Sequence, residues 1–147
     1  LRELSQHCGQ STARQTDGRR LLLLPAPREQ HTLGLLMAAE FFCRAGWEVS
    51  GGPLETGHDP VKSTAREWFD VVGFSLAATM HLEALTQTVA AVRRASRNPH
   101  VTIVVGGPAV AHHPALLAAV QADLLVSDAA QAPDQVARFL AERRHVN

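Results

Sequence analysis

Four short, nearly unbroken apolar runs are spaced along this chain, at Leu21 to Leu24, Phe69 to Phe74, Val101 to Val105 and Leu124 to Val126, and a shorter segment, Trp47-Glu48-Val49, closes on Gly51-Gly52. Between them lie stretches of helical character: Thr32 to Ala45, a weaker one from Pro60 to Trp68, Leu82 to Ser96 with Leu82, Leu85, Val89 and Val92 on one stripe, a short one after Pro114, and Pro133 to Arg143. A strand that is aliphatic at consecutive positions has no face to give to water, so it must be covered on both sides. Helices between successive strands supply that cover around a parallel sheet. The pattern therefore predicts an α/β fold of five strand-helix units in three layers, with Asn98-Pro99 ending the third helix. In an open sheet of this kind, ligands enter at the carboxyl ends of the strands, near the point where strand order reverses. The loops that bear on function are then Pro25 to His31, Ser75 to His81, Gly106 to His113 and Ser127 to Ala130.

The chain has 147 residues, 46% of them hydrophobic and 19% charged, which is enough for one packed domain and too little for two. Residues 1–19 are polar and without apolar period, so they read as a flexible tail or linker ahead of a domain spanning 20–147. Fourteen Lys+Arg balance fourteen Asp+Glu, and a zero net charge gives no general attraction to nucleic acid or an anionic membrane. The longest aliphatic run, Leu21 to Leu24, is far below the ~20 residues a membrane helix requires. With no leader pattern at its start, the chain is expected to be cytoplasmic. Cys8 and Cys43 form neither a CxxC pair nor a disulfide framework, and Cys43 reads as a small buried hydrophobe.

Several chemistries fail on the loops. A phosphoacceptor receiver needs acidic groups after the first strand, an Asp closing the third and a Lys after the fifth; those places hold Pro25-Ala26-Pro27, Ser75 and Ser127. Neither GxGxxG nor GxxxxGK[ST] occurs, and Lys62 is the sole lysine, which disfavours dinucleotide, P-loop and Schiff-base mechanisms. Flavin finds little stacking surface in a chain with no Tyr and with Trp47 and Trp68 outside these loops.

The first loop supplies Glu29-Gln30-His31-Thr32-Leu33-Gly34 at a helix start. Residues two apart in an extended loop point the same way, so Glu29 can accept a hydrogen bond from one ring nitrogen of His31 while the other faces the crevice. A carboxylate behind an imidazole in this way fixes its tautomer and raises its basicity as a metal ligand. Zinc wants three or four protein ligands, and none is paired with His31 at a recognisable spacing. A metal already held by a macrocycle, cobalt in a corrin or iron in a haem, needs one. A histidine that caps the helix beside a glutamate is the plainer reading of an isolated ExH. The other loops bear on the choice by being small: Ser75, Ala77 and Thr79 follow the third strand and Gly106-Gly107-Pro108 the fourth. They leave a slot for a flat heterocycle, with Ser75 or Thr79 to bond a ring nitrogen. Gly106-Gly107 alone is equally an ordinary strand-ending turn.

Taken together, Glu29-x-His31-x-x-Gly34, Ser75-x-Ala77-x-Thr79, Gly106-Gly107 and Ala122-Asp123 followed by Asp128-Ala129 resemble the cobalamin-binding domain over about residues 20 to 143. The resemblance implies a flavodoxin-like (Rossmann-like) five-stranded parallel sheet. It also implies His31 as lower axial ligand to cobalt, Glu29 as its partner, and a slot for the displaced dimethylbenzimidazole tail formed by Gly34, Ser75, Thr79, Gly106 and Gly107. Gln30, Thr32, Leu33, Ala77, Pro108, Asp128 and Ala129 complete the expected cofactor contacts. Glu29 stands where the family commonly has Asp, and Ala77 where Leu is usual, a change that reshapes the slot. The stretches Phe41-Phe42-x-Arg44-Ala45-Gly46-Trp47-Glu48-Val49, Glu67 to Ser75 and Ala95 to Pro99 are similar to the AerR/PpaA-type antirepressors of photosynthesis genes and to their haem-binding sensor variant. That likeness implies a non-enzymatic sensor of light or redox state, holding cobalamin in hydroxo-, methyl- or adenosyl- form, or haem, and contacting a transcriptional repressor. The enzymatic alternative is the corrinoid subunit of a methyltransferase or mutase. The helices that cover the upper corrin face in the light-sensing relatives cannot be built from residues 1–19, so that face is expected to be open to solvent or to a partner.

Beside these loops, His81, His112 and His113 stand where an upper ligand would come from, although solvated loop histidines are the commoner case. Trp47 and Trp68 are expected to pack as core at the opposite edge of the sheet. Arg93, Arg94, Arg97, Arg143 and Arg144 are expected to serve helix carboxyl ends.

Overall fold

The computed structural model describes residues 19–28, 33–51 and 59–146. Its five parallel strands are β1 (Arg20–Pro25), β2 (Glu48–Gly51), β3 (Val71–Ser75), β4 (Thr102–Gly106) and β5 (Leu124–Val126), hydrogen-bonded in the order β2-β1-β3-β4-β5. Five α-helices lie among the described residues: α1 (Leu33–Arg44), α2 (Pro60–Arg66), α3 (Leu82–Ala95), α4 (Pro108–His112) and α5 (Ala132–Val146). Short 3-10 turns stand at Thr79–His81, Leu116–Val120 and Ala129–Gln131. This is the expected three-layer fold, and the order reverses between β1 and β3, where a crevice opens.

The sheet divides two cores. Leu22, Leu24, Val72, Phe74, Ile103 and Val105 face Leu85, Val89 and Val92 of α3 together with Val110 and Leu117. Leu21, Leu23, Val71, Val104 and Val126 face Leu35, Ala39 and Phe42 of α1 and Ala132 and Val136 of α5. Alternate residues of one aliphatic strand thus feed opposite layers, as the pleat requires.

Each strand begins at a polar anchor. The Arg20 backbone N–H donates to Asp70 Oδ2 at 2.8 Å, and the Arg20 guanidinium lies over the Phe69 ring and reaches Glu67 and Glu48. Asp123 Oδ2 accepts from the Ile103 N–H at 2.7 Å and pairs with Arg93 at 3.0 Å. Buried Thr102 takes a 2.7 Å hydrogen bond from Arg143. Of the basic helix ends, Arg97 donates to the Arg66 carbonyl at the end of α2, and Arg93 donates to the carbonyl of Gln121, which caps the 3-10 turn Leu116–Val120, as expected. Arg93 also ties a strand start through Asp123, as Arg143 does through Thr102, and Arg94 and Arg144 are exposed.

Three boundaries differ from the sequence reading. The second helix stops at Arg66 because Glu67 is already extended, and β3 starts at Val71 because Asp70 is held by β1. A helix begins at Pro108, before Pro114, since Gly107 at φ +107° delivers a proline to the first helical position. Trp47 is buried, edge-on to Phe42 at 5.6 Å, but Trp68 is 46% exposed, with its indole N–H directed at Asp70 Oδ1. Cys43 is buried as expected but is disulfide-bonded, a pairing its spacing does not reveal. Apart from Arg19, the expected N-terminal tail lies outside the described residues.

Asn98 joins the third helix to β4. Its Nδ2 donates to the Phe69 carbonyl at 3.0 Å and its Oδ1 accepts from the His100 N–H at 2.9 Å. Asn98→Ala leaves both backbone groups unpaired in a buried corner and should cost about 1–3 kcal/mol, read as a lower urea midpoint at unchanged slope.

Candidate functional site

The sheet face under α1 and α5 is incompletely filled. A cavity of about 250 Å³ runs from the carboxyl ends of the central strands down between sheet and helices. Its depth follows from register. Ser75, Gly106 and Val126 form one lateral row at the strand ends; Leu23, Gly73 and Val104 form the next; Leu21 and Val71 lie below. Gly34, Leu35, Ala38 and Phe42 of α1 make one wall, and Ser127, Ala129 and Ala132 the other. Among the described lining residues, hydroxyls are carried only by Ser75 and Ser127, in the outermost row and one residue beyond it, and the lower rows are hydrocarbon.

Glycines create this space for different reasons. At Gly107, an added Cβ would stand 2.5 Å from the Leu76 carbonyl oxygen, in a backbone conformation that disfavours any side chain. That glycine joins the loops after β3 and β4, where Leu76 N–H donates to the Gly106 carbonyl and Ala109 N–H to the Leu76 carbonyl. Gly34 sits in the first turn of α1 with nothing within 4 Å of its absent Cβ. No local conformation demands glycine there, and what its absent side chain leaves open is the cavity. Gly73 is tighter, its absent Cβ 3.0 Å from Leu23 Cδ1, so a side chain in the middle of β3 would close the floor.

Of the residues singled out in the sequence, Gly34, Ser75, Gly106, Gly107, Pro108 and Ala129 line the cavity. Leu33 is 72% exposed on the outer side of α1. Ala77 and Thr79 lie past the strand end, beyond the lining, with Thr79 opening a 3-10 turn. Asp128 is turned to a local task, accepting from the Ala130 N–H at 3.0 Å. Glu29, Gln30, His31 and Thr32 lie outside the described residues. His81 is half-buried in its turn, while His112 and His113 are exposed with their rings 6.4 Å apart. Among the described residues no three His, Cys, Asp or Glu side chains converge on a metal position. Leu35, Ala38 and Phe42 were read only as helix, and Gly73 only as strand. The legible signal for Gly73 was a glycine inside an otherwise bulky run, which marks a close approach.

The cavity suits an apolar bicyclic ring. An apolar cavity of ~150 Å³ holds benzene, and this one is larger, with two hydroxyls at its mouth for a single ring heteroatom.

A sequence model described as the B12 binding domain matches residues 19–142. The structure resembles a cobalamin-binding protein from Desulfitobacterium hafniense, with a TM-score of 0.72 and 18% identity, covering 93% of this chain and 69% of that one. It also resembles the monomethylamine corrinoid protein of Methanosarcina barkeri, with a TM-score of 0.67 and 14% identity, covering 90% of this chain and 62% of that one. This chain therefore spans less than two thirds of the second protein. At these identities the likeness is one of fold. Among curated proteins, no sequence matches this chain.

The two glycine roles separate experimentally. Gly107→Ala should lower unfolding free energy by about 1–3 kcal/mol. Gly34→Ala should raise it by about 0.5–1 kcal/mol, because a helix gains from losing a glycine. Urea unfolding of the two variants checks both signs.

Proposed function

The chain belongs to the B12-binding domain family, and from that premise we propose that it is a cobalamin-holding sensor working in the cytoplasm, in which His31 would ligate the cobalt and the cavity would take the nucleotide base. The observation that carries this reading is the hydrocarbon cavity opening at the switch point, with Gly34 left bare where a side chain would fit the fold but fill the space. In this reading Glu29 would orient the His31 ring, Gln30 and Thr32 would complete the first loop, and Ser75 and Ser127 would offer hydroxyls to the base. When bound, the cobalt centre supplies a coordination state that responds to light, redox potential or ligand supply. The residues of this chain hold and orient it.

Signalling by contact with a protein, a transcriptional repressor in the resemblance, is supported by α1. Its inner face lines the cavity, while its outer face exposes Leu33, Leu36 at 38% and Met37 at 49%. Leu36 and Met37 share a shallow groove with Phe41, Glu40 and Arg44. One rigid helix therefore meets both the cofactor seat and solvent, so a displacement on one side is carried to the other. No helix among the described residues is long and apolar enough to cross a membrane. A second reading, a corrinoid-carrying subunit of a methyl-transfer enzyme, is favoured by the fold shared with the Methanosarcina barkeri protein.

The test is the visible spectrum of purified protein after incubation with hydroxocobalamin or with hemin and desalting. Wild type should retain the cobalamin spectrum and His31→Ala should lose most of it. Gly34→Leu should weaken retention at least tenfold while remaining folded. Protein that emerges colourless, or wild type and His31→Ala that retain pigment equally, overturns the axial assignment. Retention of hemin in place of cobalamin transfers the pocket to haem.

A further inference from the structure

The chemistry of the cavity walls bears on which cobamide the protein accepts. Cobamides share one corrin ring and differ in the base at the end of their nucleotide loop, which is a benzimidazole in some and a purine such as adenine in others. Both bases are fused bicycles of similar breadth, so a slot that only measures size does not tell them apart. They differ in polarity. Dimethylbenzimidazole presents two methyl groups and one unprotonated ring nitrogen. Adenine carries an exocyclic amine and additional ring nitrogens, each of which needs a hydrogen-bond partner once it leaves water.

Below the mouth, the described residues of this cavity offer no such partner. Leu23, Val104, Leu21 and Val71 present only hydrocarbon, Gly73 presents no side chain, and Phe42 closes the α1 side. The backbone groups of these strand residues belong to the parallel ladder, β1 with β3 and β3 with β4, and are not free to turn to a ligand. The two hydroxyls, Ser75 and Ser127, stand in the outermost row and just past it. One heteroatom can be satisfied there; a purine edge seated deeper cannot. We propose that this site selects benzimidazolyl cobamides over purinyl cobamides, and that the unbroken hydrocarbon row Leu23-Gly73-Val104 is the selecting element. The inference rests on the reading of the cavity as the seat of the base.

The experiment is an absorbance titration of the purified protein with hydroxocobalamin, with the adeninyl cobamide in the same hydroxo form, and with cobinamide, which has no base. The expected result is that hydroxocobalamin binds at least tenfold more tightly than the adeninyl form, equivalent to about 1.4 kcal/mol, with cobinamide weaker than hydroxocobalamin. Val104→Thr, which keeps the shape of the side chain and adds a hydroxyl to the deep row, should narrow the gap between the two bases. Equal affinity, or tighter binding of the adeninyl form, overturns the selectivity while leaving the cavity as the base's seat. Cobinamide binding as tightly as hydroxocobalamin overturns that seat and the inference with it. If Val104→Thr proves unstable, the wild-type comparison of the three ligands decides alone.

Discussion

A sheet that is hydrocarbon on both faces must be covered on both, and the character of this protein comes from how completely each cover closes. On the face built from Leu22, Leu24, Val72 and Phe74, the third helix and the segment after β4 pack into one core cluster, with an open cleft at its edge beside Pro25 and Pro60. On the other, Gly34, Gly73 and Gly106 remove side chains where a close-packed layer would have them, and the space that remains is the cavity. Protein interiors ordinarily admit few voids larger than a water molecule. A large apolar gap positioned at a switch point is therefore a feature of the design of the fold.

The two ends of the sheet divide the work. At the amino ends, Arg20, Asp70, Thr102 and Asp123 fix the strands by charge-assisted and side-chain-to-backbone hydrogen bonds, so register does not depend on the far end. That arrangement frees the carboxyl ends to be small, apolar and open. Placing the rigid polar contacts at the amino ends also keeps their donors and acceptors away from the cavity.

Much of this was legible in the sequence. Aliphatic runs between helical stretches determine the layer architecture, and a glycine pair followed by proline marks the turn after β4. Ser75 and Gly106, which line the cavity, are legible as candidates because they stand at strand ends beside a switch point. The inner lining was not. A run such as Leu21 to Leu24 carries no mark of which alternate residues face which layer, so Leu21, Leu23 and their partners on α1 become visible only in register. Thr79 and Ala77 are named from spacing along the chain; the strand ends at Ser75, and Thr79 opens the 3-10 turn that follows. A tryptophan just ahead of a strand suggests core, but beside a polar strand start Trp68 is left half in water.

The seam at Gly107 has a mechanical meaning. Because backbone meets backbone there, with Leu76 bonded on one side to Gly106 and on the other to Ala109, the segments following β3 and β4 form a single stiff jaw. Neither can yield without the other. The side of the cavity free of this seam is the one formed by α1 and α5, so the direction of give in this protein is set by where its main chain is welded.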